Sequence, residues 1–190
     1  MFTLFISTYN EYVEIGLLKD GKEISNIKKA SPKGHSTILV PSVDNILKSN
    51  NLEPKDLDEI IVISGPGSFT GVRLGITVAK TLAYTLNIKI KTITSIEAIA
   101  AGIKEEDKII TIDDPKGKYI GKFEKNQLND LIYLKKEEAI KYLDSNNLPV
   151  FTDNNLNLEA IYAYSKNIKE TKAHAVKASY IKEIEALNGK

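Results

Sequence analysis

The sequence contains no cysteine and no tryptophan, and it has few histidines and arginines. Without cysteine the chain forms no disulfide, thiolate metal site or iron–sulfur centre, and it has no thiol nucleophile. Its 2 histidines, His35 and His174, are too few for a histidine-rich metal site. Lys and Arg number 26 against 25 Asp and Glu, a net charge of +1. This balance argues against a protein devoted to binding nucleic acid phosphates.

Long apolar runs are also missing, so we expect no membrane-spanning helix, which needs about 18 such residues or more. The first residues, Met1 to Ile6, read as a β-strand rather than as a secretion signal. We therefore expect a cytoplasmic protein that makes no contact with membranes. A length of 190 residues suits one domain or two small lobes.

Apolar periodicity predicts a mixed α/β chain. Strands over about 2–8, 12–18 and 23–29 form an antiparallel meander, because Asp20-Gly21 is a typical hairpin turn. The order then continues helix, strand, helix, strand, helix, and ends in a mixed second half. This order is typical of a mixed sheet rather than of a purely parallel one.

Two finer predictions concern the middle of the chain. A charged run after Gly102 marks a seam, so we expect one lobe over residues 1–103 and a second over residues 104–190. Ser95 precedes a short apolar helix and is expected to be its N-cap.

The most informative stretch is residues 65–76, here called the signature segment, between a predicted strand and a predicted helix. It reads Gly65-Pro66-Gly67-Ser68-Phe69-Thr70-Gly71-Val72-Arg73-Leu74-Gly75-Ile76. It lacks the Gly-Lys-Ser/Thr of a phosphate loop and the glycine spacing of a dinucleotide site. Two interpretations stay open: a tight turn capped by Ser68 or Thr70, or an anion site at the helix start.

The helix after this loop is apolar on two sides. Gly71, Gly75 and Ala79 stand at i, i+4 and i+8 and leave a bare face that a neighbour can approach closely. One apolar stripe runs along Val72, Ile76, Ala79, Ala83 and Leu86, and a second runs along Leu74, Val78 and Leu82. Such a helix is either deep in a core or shared with a partner.

These features resemble the TsaB (YeaZ) family. The signature segment carries most of the resemblance, and the His35-Ser36 and Val40-Pro41 steps of the preceding helix support it. The resemblance covers about residues 2–100. It implies the actin/sugar-kinase/Hsp70-like fold with mixed-sheet lobes, and we expect a shortened second lobe in this chain.

The resemblance also implies a function. The chain would be a non-catalytic scaffold or activator for threonylcarbamoyl transfer to N6 of the adenosine beside the anticodon, in tRNAs reading codons that begin with A. It would form a heterodimer with a TsaD-type catalytic subunit, with a TsaE-type ATPase docked on the pair, and a homodimer when alone. We expect indirect contact with tRNA, and no cofactor or metal.

The residues expected to matter fall in two sets. The loop set is Gly65, Pro66, Gly67, Ser68, Phe69, Thr70, Gly71 and Arg73. The partner-interface set, on the two helices of the first lobe, is Leu39, Val43, Ile46, Val72, Gly75, Ile76, Ala79 and Ala83. Arg73 is the only arginine, and we expect its planar fork to clamp a carboxylate or backbone carbonyls near the loop.

An alternative function is an autonomous nucleotide-dependent enzyme or a peptidase-like hydrolase. ATPases of this superfamily end their first strand in an Asp that serves the metal–nucleotide complex, whereas this chain has Ser7 there. His35 stands alone rather than in a pair. Asp113 and Asp114 are expected to form a turn before Pro115, because adjacent strand residues point to opposite faces.

Overall fold

The protein is represented by a computed structural model, which describes residues 1–31, 34–152, 155–179 and 181. Nine strands form two sheets among these residues. The strands are β1 (Phe2–Ser7), β2 (Tyr12–Lys19), β3 (Lys22–Ala30), β4 (Glu59–Ile63), β5 (Lys89–Ile93), β6 (Lys108–Asp114), β7 (Gly117–Glu124), β8 (Gln127–Lys135) and β9 (Val150–Thr152). The helices are α1 (His35–Ser49), α2 (Phe69–Leu86), α3 (Ser95–Ala101), α4 (Lys136–Asp144) and α5 (Leu158–Ser165).

The N-terminal meander is confirmed. β1 pairs antiparallel with β2, and β2 with β3. The turn between β2 and β3 holds Asp20 at φ 52° and Gly21 at φ 84°. Positive φ at both central residues is the requirement of a type I′ turn, so Asp-Gly sets the hairpin register.

The first sheet has the order β3-β2-β1-β4-β5. β4 lies between β1 and β5 and is parallel to both. All five of its residues are buried, as expected for a strand covered on both faces. α1 packs on β2 and α2 on β4, while α5 packs against β2 and β3.

The second sheet has the order β8-β7-β6-β9, with β9 parallel to β6. β6 pairs antiparallel with β7, and β7 pairs antiparallel with β8. α4 packs against β7 and β8. A small apolar cluster of Ile109, Ile120 and Ala139 lies under it.

One large core joins residues of both sheets. It contains Phe5 of the first sheet, Ile96 of α3, and Ile110 and Phe123 of the second sheet. Gly121 makes the closest approach, because a Cβ atom there would overlap the Ile96 side chain. The lobe boundary expected near residue 103 stays a prediction.

The cap of α3 corrects a prediction. The N-cap is Thr94, whose hydroxyl accepts a hydrogen bond from the Glu97 N–H at 3.1 Å. Ser95 is the first helical residue, and its hydroxyl donates to the Pro66 carbonyl at 2.6 Å. The Glu97 carboxylate also accepts a hydrogen bond from the Thr94 N–H at 3.0 Å, and this reciprocal capping box starts the helix one residue earlier than expected.

Among the helices that the described residues form, none has the length and apolarity that a membrane crossing requires.

Candidate functional site

The signature segment joins β4 to α2 at a point where several parts of the chain meet. The Ser64 carbonyl accepts a hydrogen bond from the Ser179 N–H at 2.7 Å. The Gly65 and Pro66 carbonyls accept from the Ser95 N–H at 2.9 Å and from the Ser95 hydroxyl at 2.6 Å. The loop is therefore held from the start of α3 and from the C-terminal part of the chain.

The β1–β2 loop presses on the same segment from the other side. The Ser68 N–H donates to the Tyr9 carbonyl at 2.6 Å. Gly67 has φ 148°, and a Cβ atom there would overlap the Tyr9 carbonyl oxygen. Only glycine meets both demands, the positive φ and the close approach of another backbone.

The bare face of α2 is occupied by this chain itself. A Cβ atom at Gly71 would overlap the Thr8 carbonyl oxygen, and one at Gly75 would overlap the Thr8 hydroxyl. The Thr8 hydroxyl in turn donates to the Gly71 carbonyl at 2.7 Å. The i, i+4 glycines therefore admit the β1–β2 loop, not a separate partner.

Ser68 caps α2, as one of the two open interpretations expected. Its hydroxyl accepts a hydrogen bond from the Gly71 N–H at 3.2 Å. An anion bound at the helix start would use the same kind of N–H group. Because the loop supplies its own cap, the geometry favours the capped turn over the anion site.

The expected partner-interface set is corrected by its burial. All eight residues are buried in this chain: Leu39, Val43, Ile46, Val72, Gly75, Ile76, Ala79 and Ala83. Periodicity locates an apolar stripe correctly, but it does not tell which neighbour covers that stripe. Here α1 packs on β2 and β3, and α2 packs on β4, on α1 and on the turn at Ala173–Ala175, so these side chains offer no surface to a partner.

The opposite side of these two helices, here called the outer face, carries exposed apolar side chains. Val40 is 56% exposed on α1, and Phe69 is 47% exposed at the start of α2. The second stripe noted in the sequence, Leu74, Val78 and Leu82, is only partly buried. The outer face of α1 and α2 is the part of the first lobe on which a protein partner has apolar contacts to make.

Threonines on α2 make its outer face less polar than the sequence suggests. The hydroxyls of Thr77, Thr81 and Thr85 each donate to the carbonyl four residues earlier, at 2.8–2.9 Å. Their hydrogen-bonding capacity is thus used within the helix. All three residues are exposed, and their methyl groups add to the apolar surface.

Arg73 stacks on the Phe69 ring, with its guanidinium carbon 3.8 Å from the ring centroid. Both residues are exposed at the first turn of α2. A planar guanidinium stacks in a way that an ammonium cannot. The expected clamp of a carboxylate or carbonyls by Arg73 stays a prediction.

The residues considered for catalysis make structural contacts. Ser7 is buried and lies opposite Glu14 across the β1–β2 pair. His35 Nε2 lies 2.8 Å from the Asn10 carbonyl and ties α1 to the β1–β2 loop. No group of three His, Cys, Asp or Glu residues suited to a metal ion occurs in the part of the chain that the structure describes.

The two adjacent aspartates point apart. Asp113 is exposed and pairs with Lys118. Asp114 accepts from the Tyr133 hydroxyl at 2.9 Å and from the Lys116 N–H at 3.1 Å. Both residues belong to strand β6, opposite Lys118 and Gly117 of β7. The expectation that they form a turn before Pro115 is therefore wrong, because the turn consists of Pro115 and Lys116.

Two ionisable side chains that sequence reasoning missed are built into the fold. Burial, then the charge and hydrogen bond of Glu97, raise the pKa of the Tyr164 phenol. Burial lowers the pKa of Lys108, whose ammonium donates to the Ile103 and Glu105 carbonyls at 3.0 and 2.6 Å. For Lys108 the sequence does contain a signal, namely a lysine at the start of an apolar strand.

Comparison with known proteins finds relatives of about half of the chain. The TsaD family model, described as tRNA N6-adenosine threonylcarbamoyltransferase, matches residues 25–118. The TsaB protein of Bacillus subtilis, a tRNA threonylcarbamoyladenosine biosynthesis protein by name, is 40% identical over 111 residues, which cover 58% of this chain and 48% of that protein. The TsaB protein of Escherichia coli is 30% identical over 102 residues, which cover 54% and 44%. These matches support the TsaB/YeaZ family.

The solved structures agree on the fold. YeaZ from Pseudomonas aeruginosa superposes with a TM-score of 0.76 at 18% identity, covering 94% of this chain and 100% of that one. The mixed-sheet α/β fold expected from the sequence is thus confirmed, and this YeaZ protein has the same fold. In sequence, the chain spans about half the length of the curated relatives it matches.

Proposed function

We propose that this chain is a non-catalytic scaffold or activator subunit for threonylcarbamoyl transfer to tRNA. The modified atom is N6 of the adenosine beside the anticodon in tRNAs that read codons beginning with A. The chemistry belongs to a TsaD-type catalytic subunit, with which this chain forms a heterodimer. The observation that carries the proposal is the apolar outer face of α1 and α2 beside a signature loop whose carbonyls are engaged within the chain.

The outer face is the proposed contact with the partner. It replaces the buried set expected from the sequence and is built from Val40, Phe69, Leu74, Val78 and Leu82. Exposed aromatic and aliphatic side chains of this kind act as anchors in protein interfaces, especially with a stacked arginine beside them. The same face supports a homodimer when the partner is absent, and a TsaE-type ATPase docks on the heterodimer.

Three local features support a role without catalysis. Ser7 is a neutral, buried hydroxyl where ATPases of the superfamily use an Asp, and a hard cation needs charged oxygen ligands. His35 is engaged with the Asn10 carbonyl. Ser68 caps the helix that a phosphate would otherwise approach.

Copurification tests the interface. Val40→Asp and Phe69→Asp place a charge on the outer face and should each weaken binding to the TsaD-type subunit at least about tenfold, because a desolvated charge at a hot spot costs ~1.4 kcal/mol or more. The matched control is Ile140→Asp on α4, since Ile140 is 57% exposed and Val40 56%. If all three variants and the wild type bound the TsaD-type subunit with equal affinity, the outer face would not be part of the interface.

Reconstitution tests the role. Modification of a tRNA transcript by the TsaD-type subunit and its activating proteins should depend on this chain, and the Val40→Asp variant should restore little of the activity. Calorimetry of the isolated chain with ATP and magnesium serves as the counter-test. Tight binding with turnover would favour an autonomous nucleotide-dependent enzyme instead.

A further inference from the structure

The chain after α5 forms a strap, defined here as residues 166–179, that runs back over the first lobe. The Thr171 N–H donates to the Ile90 carbonyl of β5 at 3.0 Å. The Lys80 ammonium of α2 donates to the Val176 carbonyl at 3.1 Å, and Val176 is only 3% exposed. The strap ends on the Ser179–Ser64 hydrogen bond. Its backbone is thereby fixed against β5, α2 and the signature segment.

The strap concentrates positive charge. It contains four lysines, Lys166, Lys169, Lys172 and Lys177, against one acid, Glu170, which is a net charge of +3. The whole chain has a net charge of +1, so the remaining residues sum to −2. The near-neutral net charge of the whole chain is therefore the sum of a positively charged strap and a slightly negative rest of the chain. Such a charge asymmetry points to a polyanionic partner.

The charges of the strap are available at the surface. Lys169, Lys172 and Lys177 are exposed, and among the described residues no acid lies within ion-pair distance of them. Glu170 is neutralised by Lys89 at 2.7 Å. These three ammonium groups are free to meet phosphates.

An open groove of about 700 Å³ lies between the strap and the C-terminal end of α2. Its lining includes Tyr84, Asn87, Lys172 and His174. Tyr84 is 77% exposed, the most exposed of the large hydrophobic side chains described. The second acid in the groove, Asp58, already accepts the Phe2 N–H at 2.6 Å.

We propose that this groove binds a single-stranded segment of RNA, with an unpaired base stacked on Tyr84 and the backbone phosphates on the strap lysines. An aromatic face beside a basic track is the combination that holds unpaired nucleotides, whereas an acidic peptide needs no exposed ring. The inference goes beyond the proposed function, in which the partner acts on the tRNA. It also replaces the expectation of indirect tRNA contact with a direct one.

The test measures RNA binding by the isolated chain with fluorescence anisotropy. The probes are a labelled single strand of about 12 nucleotides, the same strand in a duplex, and an unmodified tRNA transcript. With three phosphate contacts the affinity for the single strand should fall about 20-fold between about 50 and 200 mM salt. The duplex should bind more weakly, because its bases cannot stack on Tyr84.

Matched variants separate the groove from general charge. Lys172→Glu with Lys177→Glu should lower affinity at least about tenfold. The control, Lys136→Glu with Lys141→Glu on α4, makes the same change of net charge on two exposed lysines and should alter affinity by less than about twofold. Tyr84→Ala should cost about fivefold or more, and Tyr84→Phe should keep wild-type affinity.

Several outcomes would overturn the inference. They are no binding of any probe by the wild type at low salt, equal losses for the strap and α4 double variants, or wild-type affinity in Tyr84→Ala. Binding of a polyglutamate peptide in place of RNA would assign the groove to an acidic polypeptide. Because no partner subunit takes part, these outcomes are independent of whether the proposed function holds.

Discussion

At the scale of single residues, the phenol of Tyr164 links α5 to the cap of α3. Its hydroxyl donates to Glu97 Oε1 at 2.8 Å, while Glu97 Oε2 accepts from the Thr94 N–H and hydroxyl at 3.0 and 2.6 Å. One carboxylate thus serves a helix cap and a contact between helices distant in sequence. Ser95, the residue after Thr94, donates its hydroxyl hydrogen bond to the Pro66 carbonyl of the signature segment. The position of α3 therefore affects the position of the signature segment as well.

The raised pKa of Tyr164 predicts an alkaline dependence of stability. The pKa in the folded state lies above the unfolded value of about 10, so the contribution of Tyr164 is complete below about pH 10 and is lost as pH rises above it. At neutral pH, Tyr164→Phe should lower the free energy of unfolding by about 1.5 kcal/mol, because a hydrogen bond to a charged group is removed. Urea unfolding at pH 7 and pH 11 should show the deficit of the variant shrinking at the higher pH.

Tyr162→Phe is the control for this measurement. Tyr162 lies on the same helix, and its ring packs near Gly21 with the Lys166 ammonium 5.2 Å from the ring centroid. Its substitution should change stability by less than about 0.5 kcal/mol at both pH values. A deficit of Tyr164→Phe that is absent at pH 7, or that grows toward pH 11, would contradict the assigned role.

The glycines of the signature segment show what residue patterns can and cannot predict. Their spacing predicted that something approaches α2 closely, and the structure confirms this approach at Gly71 and Gly75. The identity of the neighbour, the β1–β2 loop with Thr8, was not predictable, because spacing within one helix carries no information about distant segments. Of the two interpretations of this helix, burial in a core or sharing with a partner, the contacts of Gly71 and Gly75 with Thr8 favour the first.

At the scale of elements, turn chemistry decided which strands could be predicted. Asp20-Gly21 predicts the β2–β3 hairpin, and Pro115 and Gly117 indicate the turn between β6 and β7. β8 was missed, because its turn is Lys125-Asn126, with φ values of 51° and 60° and no glycine. A lysine in the left-handed region is uncommon, so little in the sequence indicates that the chain reverses there.

The same turn offers a prediction of increased stability. Lys125→Asn should raise the free energy of unfolding by about 0.5–1 kcal/mol, because Asn tolerates positive φ better than Lys. The Lys125 N–H bond to Asp107 at 2.7 Å comes from the backbone and is kept. Thermal unfolding of the variant should show a higher Tm than the wild type.

The neighbouring position supplies the control. Asn126→Ala keeps the chain length but removes the amide oxygen that accepts from the buried Lys108 ammonium at 2.8 Å. This change should lower Tm, because it leaves a buried donor short of a partner and places Ala at positive φ. A lower Tm for Lys125→Asn as well would mean that the turn does not limit stability.

At the scale of the whole molecule, the continuous core decides how the two sheets unfold. Ile96 of α3 contacts the second sheet at Gly121, and the large core runs from Phe5 to Phe123 without a break. The strap also links the two sheets, because it follows the second sheet in the chain but packs on the first. Lobes that share a core in this way should unfold together, even though the sequence predicts a seam near residue 103.

Calorimetry of a core variant tests this coupling. Ile110 is fully buried in the second sheet, and Ile110→Val should cost about 1 kcal/mol and lower a single transition by about 2–4 °C. Val150→Ala on the neighbouring strand is the control, because Val150 is 43% exposed and its loss should move Tm by less than half as much. Two separate transitions, with only one shifted by Ile110→Val, would show that the lobes are independent. In that case a partner bound to the outer face would stabilise the first lobe alone, whereas a shared core transmits the stabilisation to both sheets.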